Sequence, residues 1–161
     1  MRRNGAENVM LYYRAIPGMI KLLRQEQQEL ESDYNSLRGT TYDGMPHGST
    51  PGKPTEEQAV RLSEKGTYDR LQEIRVRLDV LDADAATIRA ALDAMSGKYK
   101  SLVSMKLLRG YSWGKISVRL GVPDSTARYQ FRMALDRLAE VLDDVPMADE
   151  LEGRASRARS L

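Results

Sequence analysis

Apolar positions follow two regimes along this chain: long stripes with alternating four- and three-residue spacings up to Met95, then short amphipathic segments. Asn8 to Ala15 reads as a short helix, which Pro17 resets. Because proline is tolerated in a first helical turn, a second helix is expected from Ile16 or Pro17 to Arg38. Its stripe is Ile16, Ile20, Leu23, Gln27, Leu30, Tyr34 and Leu37, a heptad pattern with one polar intruder, Gln27. Such a repeat predicts a helix buried along a narrow, coiled-coil-like seam. Gly39 is placed to stop it. Residues 39–54 then hold four Gly and three Pro, which predicts a loop. Thr55-Glu56-Glu57-Gln58 has the form of a capping box. The helix it opens is expected to reach Met95 along Val60, Glu64, Thr67, Leu71, Ile74, Leu78, Leu81, Ala85, Ile88 and Leu92, with Ser96-Gly97 as its close.

One loop joining two single-seam helices implies an antiparallel hairpin. At ~1.5 Å per residue the first limb would be ~33 Å long and the second ~60 Å. The strongest part of the longer seam, Ile74 to Met95, would outrun its partner. A second subunit is expected to cover the remainder, giving a homodimer or a higher oligomer.

Beyond Ser96 the pattern shortens to three helices. Tyr99 to Arg109 is amphipathic through Leu102, Val103, Met105 and Leu108, and Gly110 stops it. Ser112 is a good N-cap for Trp113 to Leu120, with Ile116 and Leu120 inward. Gly121 ends that helix, and Val122-Pro123-Asp124-Ser125-Thr126 leads into a third, to about Leu142, that buries Ala127, Phe131, Ala134 or Leu135, Leu138 and Leu142. This is the layout of a helix-turn-helix, whose two helices meet steeply through a short turn that often contains Gly. Gly121 can take positive φ there without penalty. Ser117 is small where the helices cross, and Val122 is expected to plug the core. On the outer face, small Ser125 and Thr126 would let the backbone approach a DNA groove while Arg128 and Arg132 extend to phosphate or guanine. The fold class is therefore all-α, with a helical hairpin over 1–96, a DNA-binding helix-turn-helix unit over 97–142 and a flexible charged tail over 143–161.

Charge sharpens the picture. Residues 97–142 carry 9 Lys/Arg against 3 Asp/Glu, a net of +6, while residues 1–96 and 143–161 are each −2. Concentrated positive charge points to a polyanionic partner. A single Phe and a single Trp beside eight Tyr and eight Met suit packed helices better than stacked sheets. Cysteine is absent, so disulfides and thiolate metal sites are excluded. No apolar run nears the ~20 residues that span a bilayer, and no apolar stretch follows the basic Met1-Arg2-Arg3 as a secretory signal would require. The expected setting is a bacterial cytoplasm, in association with the nucleoid and away from membranes.

The stretches Gly110-Tyr111-Ser112-Trp113-Gly114-Lys115-Ile116, Leu120-Gly121-Val122-Pro123-Asp124-Ser125-Thr126-Ala127-Arg128 and Arg132-Met133-Ala134-Leu135-Asp136-Arg137-Leu138 resemble the promoter-reading C-terminal helix-turn-helix of bacterial sigma factors. Tyr42-Asp43-Gly44-Met45-Pro46-His47-Gly48, between two long helices, is similar to phage and prophage transcriptional regulators of the ArpU/RinA-like group. Together these resemblances cover about Ile20 to Leu142. They imply sequence-specific binding of double-stranded DNA, with Asp124, Ser125, Arg128, Tyr129 and Arg132 facing the groove and Ser112, Lys115 and Thr126 completing the contact set. They also make host RNA polymerase a candidate partner. Asp124 is acidic where the pattern is commonly basic, as suits a helix cap or a cytosine contact, and Lys115 replaces a usual acid.

Other chemistry finds little footing. Gly48-Ser49-Thr50-Pro51-Gly52-Lys53 is one residue short of a phosphate-binding loop and lacks its preceding strand. His47 is the lone histidine. Asp82 and Asp84, two apart on a helix, cannot face each other. No enzymatic activity, cofactor or metal is expected. Trp113 reads as packing against the neighbouring turn more readily than as a base-stacking platform. The tail's Arg154, Arg157 and Arg159 follow five acids and read as solvated. Two rival readings remain, a phage small terminase subunit and a helical adaptor that binds no nucleic acid.

Overall fold

A computed structural model describes residues 1–39 and 54–159, with side chains over 1–34 and 65–159. Of the expected 39–54 loop, Gly39 ends one helix and Pro54 opens the next; residues 40–53 with His47 and the phosphate-loop look-alike, and the side chains of the capping box, Leu37, Val60 and Glu64, lie outside the described residues. The described residues are helical, without a strand: α1 (Arg3–Gly39), α2 (Pro54–Ala94), α3 (Gly97–Val103) running into a π-helical turn (Ser104–Leu108), α4 (Trp113–Leu120), α5 (Asp124–Asp143) and α6 (Ala148–Arg159). The all-α architecture, a helical hairpin followed by shorter helices, is as expected. No described helix is long and apolar enough to cross a membrane.

The chain forms two compact units, one of Met1–Pro17 with Leu81–Leu161 and the other of Gly18–Val80. This division differs from the expected 1–96, 97–142 and 143–161, because the start of α1 and the end of α2 build the same core as the C-terminal helices.

In the first unit Val9, Met10 and Ile16 of α1, Leu81, Ile88 and Leu92 of α2, and Leu102, Ile116, Leu138, Leu142 and Leu151 further on are all buried. Three expectations are corrected there. Pro17 does not separate two helices; it lies inside one continuous α1. An internal proline costs about 3 kcal/mol through its missing N–H and its clash with the preceding turn. Burial of Val9, Met10, Tyr12 and Ile16, at about 1.5–3 kcal/mol per large apolar side chain, outweighs that cost. With 37 residues in α1 and 41 in α2, the helices come to ~55 and ~60 Å. The length mismatch that called for a second subunit is gone.

The second correction is a register shift. Leu107 is buried and Leu108 only half-buried, the reverse of the helical expectation. The π-turn accommodates an extra residue, which rotates the side chains beyond it about the helix axis. The third concerns the tail, which is not frayed. α6 buries Leu151 and Ala155, and Arg154 reaches the carboxylate of Asp84, itself only 4% exposed. Arg154 donates Nε to Oδ2 at 2.8 Å and Nη2 to Oδ1 at 2.6 Å, while the Tyr12 hydroxyl donates to Oδ2 at 2.9 Å. A buried charge is tolerated only when paired and hydrogen-bonded, and Asp84 has both. Burial and the adjacent carboxylate push the Tyr12 phenol well above its ordinary value. Gly5 lets the Glu152 carboxylate of α6 approach α1 closely; a Cβ there would push the flexible ends of Glu152 and Met1 aside.

In the second unit Leu71 and Ile74 are buried, and the α1 stripe of Ile20, Leu23, Gln27 and Leu30 is half-buried. Arg70 ties the helices together, donating Nε to Glu26 at 2.8 Å. Leu78 is half-buried, as part of this seam.

Candidate nucleic-acid interface

The turn between α4 and α5 is built by local chemistry. The Ser112 hydroxyl accepts from the Lys115 backbone N–H at 3.3 Å, satisfying one of the free amides at the start of α4. At the other end Gly121 is left-handed, with φ 64° and ψ 31°, and its N–H closes onto the Ser117 and Val118 carbonyls. Ser117 has a larger role than being small. Its hydroxyl donates to the Val122 carbonyl at 2.6 Å, and the Val122 N–H returns to the Ser117 carbonyl at 3.2 Å. This reciprocal pair sets the direction in which the chain leaves α4. Pro123 precedes α5 in an extended conformation and Asp124 occupies its first turn, where a carboxylate complements the positive helix end.

α5 packs against α3 and α4. Ala127, Phe131, Ala134, Leu135, Leu138, Ala139 and Leu142 are buried, including every position expected inward. The opposite face carries Asp124, Ser125, Arg128, Tyr129 and Arg132, all exposed, with Thr126 half-buried. Ser112 and Lys115 are exposed at the start of α4. Of the inward positions of α4, Ile116 is fully buried, whereas Leu120 is half-buried, as is Val122 in the turn.

Two side chains on the outer face are held. Arg128 lies 3.6 Å from the Asp124 carboxylate, and its guanidinium sits 5.2 Å from the Trp113 ring centroid. A second cation, the Lys106 ammonium, lies 4.7 Å from the same centroid. Trp113 therefore packs, as expected, and also organises positive charge beside the first turn of α5. Lys115 rests over the Tyr111 ring at 4.0 Å. The positive charges of Arg109 foremost, then Lys115 and Arg119, draw that phenol below its ordinary value.

Sequence reasoning did not place Lys106 beside Trp113 or Tyr111 beneath Lys115. Lys106 and Trp113 lie on separate helices, so their spacing along the chain does not bring them onto one face; the π-turn and left-handed Gly110 bring the two together. Asp136, expected on the open face, is engaged by Arg3, whose guanidinium donates to both its oxygens at 2.8 and 2.6 Å. Comparison with protein-family models, curated proteins and solved structures finds no match to this chain.

Proposed function

We propose that this chain binds double-stranded DNA, inserting the first half of α5 into the major groove, and that it is a sequence-specific transcription regulator of the phage or prophage type its sequence resembles. One observation carries the reading: a left-handed Gly121 turn presents Ser125, Arg128, Tyr129 and Arg132 outward, while Ala127, Phe131 and Leu135 anchor the same helix inward. Arg is the side chain best suited to guanine edges and phosphate, and Ser125 leaves room for approach. The +6 charge of residues 97–142 supports it. Self-association, most simply as a homodimer, is supported by exposed Leu22, Tyr68 and Val76. Host RNA polymerase is a proposed further partner, and the bacterial nucleoid the proposed location.

Fluorescence anisotropy against a duplex selected from a random pool and against its scramble tests the reading. Preference for the selected duplex is expected, with a log–log salt slope of about −4 to −5 per protomer from four to six phosphate contacts. A slope near zero, or equal binding to the two duplexes, overturns it. Light scattering separates a dimeric regulator from the large ring that a terminase subunit would form.

A further inference from the structure

Around the C-terminal helices some basic side chains have acidic partners and others among the described residues, Lys98 and Arg132 included, form no salt bridge. Arg3, Lys100, Arg128, Arg137 and Arg154 each pair with a carboxylate. Among the described residues, Arg14, Lys106, Arg109, Lys115 and Arg119 form no salt bridge, and all five converge on one stretch of chain. Arg14, an exposed residue of α1, points its Nη1 at the Leu107 carbonyl at 3.5 Å and lies 3.7 Å from where a Cβ on Gly110 would stand. Lys106 donates to the Tyr111 carbonyl at 3.4 Å. Lys115 covers the Tyr111 ring, and Arg109 and Arg119 join it in lowering the Tyr111 phenol.

Like charges gathered without counter-charge repel one another, and an anion relieves the repulsion. These cations come from α1, the π-turn with the residue that follows it, and α4, and five positive charges exceed what one small anion neutralises. They are also continuous with the reading face, because Lys106 shares the Trp113 ring with Arg128. A polyanion with regularly spaced charges fits this arrangement, and the backbone of the duplex proposed above is such a polyanion.

We propose that Arg14, Arg109, Lys115 and Arg119, gathered along Gly110 and Tyr111, form a phosphate clamp that grips the duplex backbone beside the recognition helix. The clamp rests on the DNA-binding reading. It adds to it a residue of the first helix, Arg14, that lies far in sequence from the helix-turn-helix. Its contacts go to phosphates, so it strengthens binding to every sequence equally and fixes the angle at which α5 enters the groove.

The test uses the full chain and a mixed-sequence duplex of about 30 base pairs, with anisotropy followed across a salt series. Arg14→Gln and Arg119→Gln are compared with Arg24→Gln, which removes an equal charge from an exposed position ten residues further along α1. Each clamp variant is expected to weaken binding about three- to tenfold at low salt and to reduce the slope by about 0.9. The double variant should lose about twice that slope, and Arg24→Gln should match the wild type. Circular dichroism confirms folding, which exposed positions of this kind do not disturb. If the wild type keeps a steep slope and both clamp variants coincide with Arg24→Gln, the clamp is overturned and the DNA-binding reading stands. If the wild type binds no duplex, both fall.

Discussion

The indole of Trp113 meets the ring of Phe131 edge-on, with centroids 5.3 Å apart and planes inclined by 73°. That contact joins the first turn of α4 to the third turn of α5, and so helps to hold the angle between them. Edge-to-face pairs contribute about 0.5–1.5 kcal/mol beyond their buried area. Phe131→Ala should therefore destabilise the chain by about 3–5 kcal/mol in urea denaturation. Because Trp113 is the only tryptophan, its emission should change in the same variant. An unchanged midpoint with unchanged emission would show that the contact does not organise the turn.

Arg128 and Arg137 provide a charge-matched comparison. Arg128 lies one turn into α5 beside Trp113, whereas Arg137 is more than two turns further along and pairs with Glu140 at 2.6 Å. If Arg128 makes a bidentate guanine contact, Arg128→Ala should cost about 1–3 kcal/mol in specific binding and relax selectivity at one base position. Arg137→Ala should alter neither appreciably. Equal losses for the two variants on selected and scrambled duplexes would sink the assignment of α5 as the reading helix.

Asp84 and Arg154 should be strongly coupled. Arg154→Ala leaves a buried carboxylate with Tyr12 as its remaining hydrogen-bond donor and is expected to cost about 3–5 kcal/mol. Asp84→Ala with Arg154→Ala should cost less than the two singles added together. Additive losses in thermal or urea denaturation would count against the pair. Hydrogen exchange over α6 should accelerate in Arg154→Ala, since that bond ties the helix to α2.

Two titrations act at opposite ends of the pH scale. The Arg3 guanidinium holds the Asp136 carboxyl below its ordinary value. Stability from that pair is present above the ordinary carboxylate range and is lost as pH falls through the lowered value. Arg3→Gln should flatten the acid limb of the stability–pH curve. Tyr12, whose value is raised, contributes stability that is full below the ordinary phenol range and is lost as pH rises through the raised value. Tyr12→Phe should remove that alkaline loss. Identical limbs in variant and wild type would contradict the respective assignment.

Local chemistry decided the features that were legible in the sequence. The ends of α4 follow from Ser112 and Gly121, each acting within a turn of its own position. The buried face of α5 follows from helical spacing alone. Pro17 misled because tertiary burial around Met10 and Ile16 overrode a local cost. Leu107 and Leu108 exchanged roles because nothing in Ser104–Leu108 distinguishes a π-turn from the α-helix around it. α6 was hidden because Leu151 and Ala155, its buried residues, are too sparse to form a stripe among twelve mostly polar positions. Asp84 looked like any solvated helical acid until Tyr12 and Arg154 met on it. The outward residues of α5 were legible as a face, whereas the approach of Lys106 to Trp113 and of Arg14 to Gly110 depends on chain geometry.

The first unit is discontinuous in sequence, and this constrains when it can form. Arg3 waits for Asp136, Tyr12 for Asp84, and Asn8 for Arg159, to which it is bonded at 2.6 Å. At about 5–20 residues per second of ribosomal synthesis, the opening turns of α1 spend several seconds or more without the partners that bury Val9 and Met10. The helix-turn-helix becomes complete on the ribosome before α6 emerges, yet the core beneath it closes only afterwards. Assembly is thus biased toward finished chains, and a protein cut short before α6 would present α5 on an unsealed base.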